Sequence, residues 1–287
     1  MLDESRSFKG KEFVKKQIDA LALLKMNVMH LHLTDAAGWR LQIDAYPNLT
    51  DQVAWRIGET YHEWEGLGYP FTNAADPKAY GGFYTKEDIR EIVSYAAERH
   101  IDIIPEIEMP GHSMEVNRAY PEIACVGEDG KPRPFSWDLC VGNEGTFKFL
   151  ETVLEEVIEL FPYEYIHIGG DEAVKKDWEV CVNCQKRMQE EGMEDKNELQ
   201  GYLVRRIEAF LRERGRTVIG WDEIVETGLP EQAVVMSWRG TPGGIKASAE
   251  GHDVIMSPNS YVYLDYYQDL IRKEPKAVGH MQSLRHV

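Results

Sequence analysis

Four cysteines are all that this 287-residue chain contains, too few for the disulfide framework that staples small secreted domains. Long apolar runs are missing too. None approaches the ~18 residues of a membrane-spanning helix, so no membrane insertion is expected. Positive charge is scarce: Lys and Arg number 32 against 49 Asp and Glu, a net charge of −17. That balance disfavours nucleic acid and anionic membrane as partners, because both reward a basic face. No Gly-rich loop with an accompanying Lys offers a phosphate cradle, and no cofactor is expected. No internal repeat, low-complexity tract or signal peptide stands out; the chain starts at Met1-Leu2-Asp3 almost directly with charge and pattern. One cysteine motif is present, Cys181-Val-Asn-Cys184, with the spacing of a zinc knuckle or a redox pair. Lacking a second CxxC or a nearby His pair, it reads as a surface turn in a polar, helix-like segment, with one disulfide at most, and no metal is expected.

What remains is an ordinary globular composition, 43% hydrophobic and 28% charged, in a chain long enough to bury ~75% of its unfolded surface. Short β-rich runs alternate with longer helical patterns. Residues 28–35, 101–108, 165–171, 217–222, 233–238 and 253–257 read as strands, with a further stub at 2–6. Helices are expected at 11–26, 86–99, 146–160 and 199–214, each with one apolar stripe, such as Phe147, Leu150, Leu154, Val157 and Ile158 in the third. Segments 61–82 and 127–134 are rich in Pro and Gly and read as long loops. Strand–helix alternation implies a parallel sheet covered by helices. Two architectures compete, an open sheet and a (β/α)8 barrel short of its last strand. The polar residues at the strand ends choose between them: Thr34-Asp35, Glu106 and Glu108, Asp171-Glu172, Trp221-Asp222-Glu223, and Trp238-Arg239. A barrel builds its active site from many strand ends at one rim, whereas an open sheet uses mainly one switch point. The barrel is favoured.

The strongest local signal is His167-Ile-Gly-Gly-Asp171-Glu172. Two glycines allow a kink or a close approach. Adjacent carboxylates disfavour each other's ionisation, so that one can stay protonated near neutral pH and serve as an acid. The bland alternative, an Asp helix cap beside a solvated Glu, fits poorly after an apolar strand and two glycines. Trp39, Trp221, Trp238 and Tyr263 fall at or just past strand ends. Most tryptophans pack in cores, yet aromatic walls beside carboxylates and Arg also suit a sugar ring, whose C–H faces stack while its hydroxyls hydrogen-bond. A competing set, His30, His32, His112, His167 and Asp222, would suit a zinc-dependent barrel hydrolase, with His30 and His32 on one face of a strand. Polar neighbours such as Thr34 and Asp35 would satisfy the same imidazoles without metal.

Together, Asp3-Glu-Ser-Arg6, His30-Leu-His-Leu-Thr-Asp35 with Gly38-Trp39-Arg40, Pro105-Glu-Ile-Glu-Met-Pro-Gly-His112, His167-Ile-Gly-Gly-Asp-Glu172, Gly220-Trp-Asp-Glu223 and Ser237-Trp-Arg239 resemble glycoside hydrolase family 20, the β-N-acetylhexosaminidases. The segments occur in the family's order over nearly the whole chain. The resemblance implies a (β/α)8 TIM barrel, a single catalytic domain over residues 1–287. It implies an exo-acting enzyme that removes terminal β-linked N-acetylglucosamine or N-acetylgalactosamine from an oligosaccharide or glycoconjugate with retention. It also implies substrate-assisted catalysis, in which the sugar's acetamido oxygen attacks and an oxazolinium forms. By that resemblance Glu172 is the general acid/base, Asp171 orients the acetamido N–H, and Asp35 and His112 support and tune the acid. Arg6 corresponds to the grip on the 3- and 4-hydroxyls, and Trp221 and Trp238 to walls of an aromatic box around the acetamido group. Tyr263 corresponds to the hydrogen bond on its carbonyl, and Asp265 to a hydroxyl contact.

The chain departs from the family pattern in places. Ser7 stands where a His commonly follows the Arg, and Ala36 where a second Asp often follows Asp35. The family's last strand, third tryptophan wall and sugar-binding Glu have no counterpart before Val287, and its preceding small α/β domain has none either. A catalytic-domain fragment is therefore expected, and with it a second reading, a sugar-binding remnant without turnover. The family's usual setting implies a periplasmic, extracellular or lysosome-like compartment.

Overall fold

The computed structural model describes residues 1–269, 274–277, 279, 281–283 and 285. Seven strands pair in it in the order of the chain: β1 (Leu2–Asp3), β2 (Val28–His32), β3 (Asp102–Glu106), β4 (Tyr165–His167), β5 (Thr217–Trp221), β6 (Val234–Ser237) and β7 (Val254–Met256). Every neighbouring pair is parallel. A doubly wound sheet would reverse its strand order at a switch point, whereas unbroken sequential order belongs to a barrel. The sheet is curled accordingly. Trp221 at the end of β5 hydrogen-bonds Glu106 at the end of β3, reaching past β4. Asp265, beyond β7, lies within electrostatic reach of Asp3 and Arg6 at the far side of the sheet. The fold is the (β/α)8 barrel type, with seven barrel strands among the described residues.

Helices α1 (Lys11–Leu23), α2 (Lys86–Ala97), α3 (Glu144–Leu160), α4 (Val182–Glu190), α5 (Lys196–Arg212) and α6 (Pro242–Ala249) accompany the strands. Capping decides where several begin. Thr85 with Asp88 forms a capping box at α2, Asp195 with Glu198 another at α5, and the Asn143 side chain accepts from Gly145 N–H at α3. These caps start α3 and α5 a few residues ahead of their apolar periodicity. Alternation along the strands then divides two cores. Ile103, Ile166 and Val218 face outward to helix residues such as Ile89, Leu150 and Ile207, while Ile104, Ile219, Trp221, Val234 and Met236 fill the inside of the curl.

Three expectations are corrected. Segment 61–82 is not a bare loop: it holds a helix at Tyr61–Gly66, opened by a Thr60/Glu63 capping box, and strands Phe71–Thr72 and Ala79–Gly81 that pair antiparallel with Trp55–Ile57. Elements this short fall below any periodicity window. Trp39 belongs to the core, its indole N–H donating to the Leu41 carbonyl at 2.6 Å and its ring meeting Phe149 edge-on. Cys181 and Cys184 do not form a surface turn; Cys181 caps α4, Cys184 lies in its first turn, and both are fully buried.

A buried cation knits the rim near β1. Arg40 is fully enclosed and directs all of its five N–H donors at main-chain carbonyls, those of Ser5, Ala37, Ala54 and Gly82. Burial, with Arg56 nearby, brings its guanidinium down to about 10. Arg56 is equally buried and holds the carbonyl of Arg6 at 2.8 Å.

Candidate active site

Strand geometry delivers the acidic pair. After β4 the chain passes through Gly169 and Gly170 at φ of 68° and 94°, the left-handed region that glycine enters without a Cβ penalty. Side chains would not fit there: a Cβ on Gly169 would overlap the Glu108 carboxylate, and one on Gly170 would press on Ile224. The glycines thus let the chain pass close over Glu108 and Ile224 before it presents Asp171 and Glu172. Glu172 itself takes a positive φ of 45°, and its side chain is 57% exposed at the mouth while that of Asp171 is 15% exposed.

Both acids face one imidazole. His112 Nε2 lies 3.4 Å from Asp171 Oδ2 and 3.4 Å from Glu172 Oε2, and its Nδ1 lies 3.2 Å from Asp35 Oδ2. The same Asp35 oxygen receives Arg6 Nη2 at 2.6 Å, and Arg6 Nη1 donates to Asp3 at 2.9 Å. One chain of charge therefore runs Asp3–Arg6–Asp35–His112 to the acidic pair. Burial works against the charged form of His112, but Asp35 and the hydrogen bonds to Asp171, Asp35 and Glu172 outweigh it and hold the imidazole well above its ordinary range. Burial likewise pushes Asp35 up, yet the Arg6 and His112 charges bring it to about 2. The charged form of His112 is thus favoured, with one ring nitrogen facing Asp35 and the other facing the acidic pair. Trp137 packs edge-on against its ring at 5.1 Å between centroids.

A second carboxylate group supports the floor. Glu106, fully buried, accepts from Trp221 Nε1 at 2.8 Å and lies 2.7 Å from His30 Nε2 and 3.1 Å from His167 Nδ1. Glu108 lies 3.3 Å from His32 Nε2; burial and the Asp171 charge push its carboxyl well above the usual range. The imidazoles that suggested a zinc set are thus each answered by a carboxylate. Asp222 stands apart from them, accepting from Arg239 at 3.0 Å.

The aromatic residues divide. Trp238 stacks with Tyr263 at 6.4 Å and 25° between planes, and its indole N–H donates to Glu223 Oε2 at 2.9 Å. Asp171's charge is felt by both Tyr263 and Glu223, which sets this wall beside the acidic pair. Trp221 lies deeper, 5% exposed and edge-on to His167 at 4.8 Å. Asp265 is exposed, and the charges it feels are those of Asp3 and Arg6. Of the residues singled out in the sequence, Arg6, Asp35, His112, Asp171 and Glu172 form one linked set. Trp137 and Asp138 escaped notice, and Glu223 was noted only as a polar strand-end residue with no role; Asp138 is buried and accepts the main-chain N–H groups of Val174 and Lys175, just after the pair.

The profile of glycosyl hydrolase family 20, catalytic domain, matches residues 1–287. The chain belongs to this family. As a family 20 domain it is 45% identical to a beta-hexosaminidase of Porphyromonas gingivalis, over 100% of this chain and 36% of that protein. It is 41% identical to one of Vibrio furnissii, over 96% of this chain and 45% of that protein. Among solved structures, a GH20 exo beta-N-acetylglucosaminidase from Vibrio harveyi, in complex with N-acetylglucosamine, superposes with a TM-score of 0.85 at 33% identity, covering 100% of this chain and 45% of that one. The beta-N-acetylhexosaminidase of Bacteroides fragilis does so with a TM-score of 0.81 at 32% identity, covering 100% and 55%. This family 20 domain therefore spans about half or less of the length of these relatives.

Proposed function

We propose that the protein carrying this domain is an exo-acting, retaining β-N-acetylhexosaminidase that uses the substrate's own acetamido group as nucleophile. The observation that carries the reading is the pairing of Asp171 and Glu172 on one histidine, 3.4 Å from each, beside an aromatic wall. Asp171 Oδ2 faces His112, while its Oδ1 is buried and accepts no hydrogen bond among the described residues. An unclaimed buried acceptor suits the acetamido N–H, whose capture turns the carbonyl oxygen toward the anomeric carbon and stabilises the positive charge that develops on cyclisation. Glu172 is open to the mouth, where a leaving oxygen would receive its proton. Trp238 and Tyr263 offer stacked faces to the acetamido methyl, Tyr263 a hydroxyl to its carbonyl, and Arg6 a cation to the ring hydroxyls. Trp221 forms the deeper wall, and Asp265 reaches the sugar only at the rim. The substrate class is an oligosaccharide or glycoconjugate ending in β-linked N-acetylhexosamine.

The test compares a chromogenic N-acetyl-β-glucosaminide with the matching β-glucoside, which lacks the amide. The full protein is expected to cleave the first and to leave the second essentially untouched; equal rates would refute substrate assistance. Glu172→Gln is expected to slow substrates with poor leaving groups by roughly 10²–10⁴, and a near-normal rate would remove Glu172 from the mechanism.

A further inference from the structure

Away from the acidic pair, four cysteines from three distant stretches meet in the interior. Cys125 follows the short helical turn Pro121–Ile123, Cys140 precedes α3, and Cys181 and Cys184 open α4. All four are fully buried and none is in a disulfide. Their sulfurs lie 3.6 Å (Cys140–Cys181), 3.6 Å (Cys140–Cys184) and 3.8 Å (Cys125–Cys184) apart, and all four fall within 4.8 Å of one another. A disulfide needs ~2.05 Å. A zinc ion bound tetrahedrally by four thiolates at ~2.3 Å spaces its sulfurs by about 3.8 Å, the edge of that tetrahedron. The observed spacing is that of a metal site.

We infer that Cys125, Cys140, Cys181 and Cys184 bind one zinc ion as a closed tetrathiolate site that fastens together the two loops flanking the acidic pair. On binding, Zn²⁺ takes the place of the thiol protons, which leave to solvent. The surroundings suit thiolate. The Val126 N–H points at Cys181 Sγ at 3.3 Å, and the Cys184 N–H bonds the same sulfur, the outer contacts that orient metal ligands and offset their charge.

The anchored loops are those that frame the site. The stretch between Cys125 and Cys140 carries Trp137, packed on His112, and Asp138, which caps Val174 and Lys175 just after Glu172. The stretch running from Glu172 to Cys181 carries Trp178, whose indole N–H donates to the Leu139 carbonyl at 2.9 Å. Gly142 meets Asn183 and Cys184 so closely that a Cβ there would overlap their main chain. The CxxC therefore lacks a second CxxC in sequence because its partners arrive singly, from Cys125 and Cys140.

The test is elemental analysis of the full protein purified without a metal-affinity step from zinc-supplemented medium. About one zinc per chain is expected, released in step with thiol modification by a mercurial. Replacement by Co²⁺ should give the visible absorption and near-ultraviolet sulfur-to-cobalt charge transfer of a tetrahedral thiolate site, and Cys125→Ser should abolish the four-sulfur spectrum. Zinc-free protein would overturn the assignment, whether it carried four free thiols or two disulfides by intact mass. Stripping the zinc should also raise amide hydrogen exchange in segments 125–142 and 173–190 while sparing α1 and α2; unaltered exchange there would overturn the fastening role. These readouts are independent of glycosidase activity, so they stand or fall apart from the proposed reaction.

Discussion

Replacing Asp35 by Asn removes one negative charge from the line joining Arg6 to His112, with almost no change of shape. In the native protein this carboxyl stands at about 2 instead of 3.8. Its folded value is thus depressed, and its contribution to stability is present above the unfolded value and lost as pH falls through about 2. The gap is worth about 2 kcal/mol at neutral pH, of which roughly half is gone by about pH 3. Removing one partner from a buried charge set leaves Arg6 with Asp3 alone and His112 with the acidic pair alone, a loss up to the order of 3–5 kcal/mol. Asp35→Asn is therefore expected to lower urea-unfolding stability by that amount at neutral pH. The difference from the parent should narrow by about 1 kcal/mol on going to about pH 3, because only the parent loses the Asp35 contribution. Tryptophan fluorescence in urea series between these pH values measures it. A difference that is the same at every pH would refute the assigned charge on Asp35. The alkaline side moves too. His112 is held above its ordinary value, so its contribution is complete below about 6.5 and lost as pH rises through the folded value; in Asp35→Asn that loss should set in at lower pH.

Further outcomes follow from other contacts. Glu223 is raised to about 7, chiefly by burial, and accepts from Trp238; Trp238 emission should titrate near neutral pH, and Glu223→Gln should abolish the step. A titration that survives in the variant belongs to another group. Gly169→Ala would force a left-handed alanine, ~1–2 kcal/mol, onto the Glu108 carboxylate. It should lower kcat with the fold retained by circular dichroism, and a wild-type kcat would show that Asp171 does not depend on this close passage. Arg40→Lys should destabilise the domain, since an ammonium supplies three donors where the guanidinium places five; an unchanged melting temperature would contradict the part given to those carbonyls.

Much of the barrel is legible in the sequence, because inward and outward residues alternate along strands such as Ile103-Ile104 and Val218-Ile219, and polar groups gather at their ends. Asp35, Asp171 and Glu172 were legible because each lies at or just past a strand end, whereas Arg6 and the role of His112 were legible only through the family resemblance. What stayed hidden depends on contacts between remote segments. Glu106 looks like one more rim acid until β2, β4 and β5 bring His30, His167 and Trp221 around it. Asp138 sits in an irregular stretch, and only the fold shows that its carboxylate holds the main chain beyond Glu172. Cys125 and Cys140 belong to no local motif, so the CxxC that they complete looked solitary.

The enclosure of Arg40 has a bearing on which changes the rim tolerates. Its charge is solvated by peptide dipoles, much as an alkali cation is in a cage of carbonyls, and every oxygen in that cage is offered by the backbone. Ser5, Ala37 and Ala54 can therefore be exchanged for residues of similar size without altering what the guanidinium meets, whereas the cation at the centre has no equivalent among the other side chains. Variation in this part of the molecule should accordingly fall on the donors of the carbonyls and spare the residue they surround.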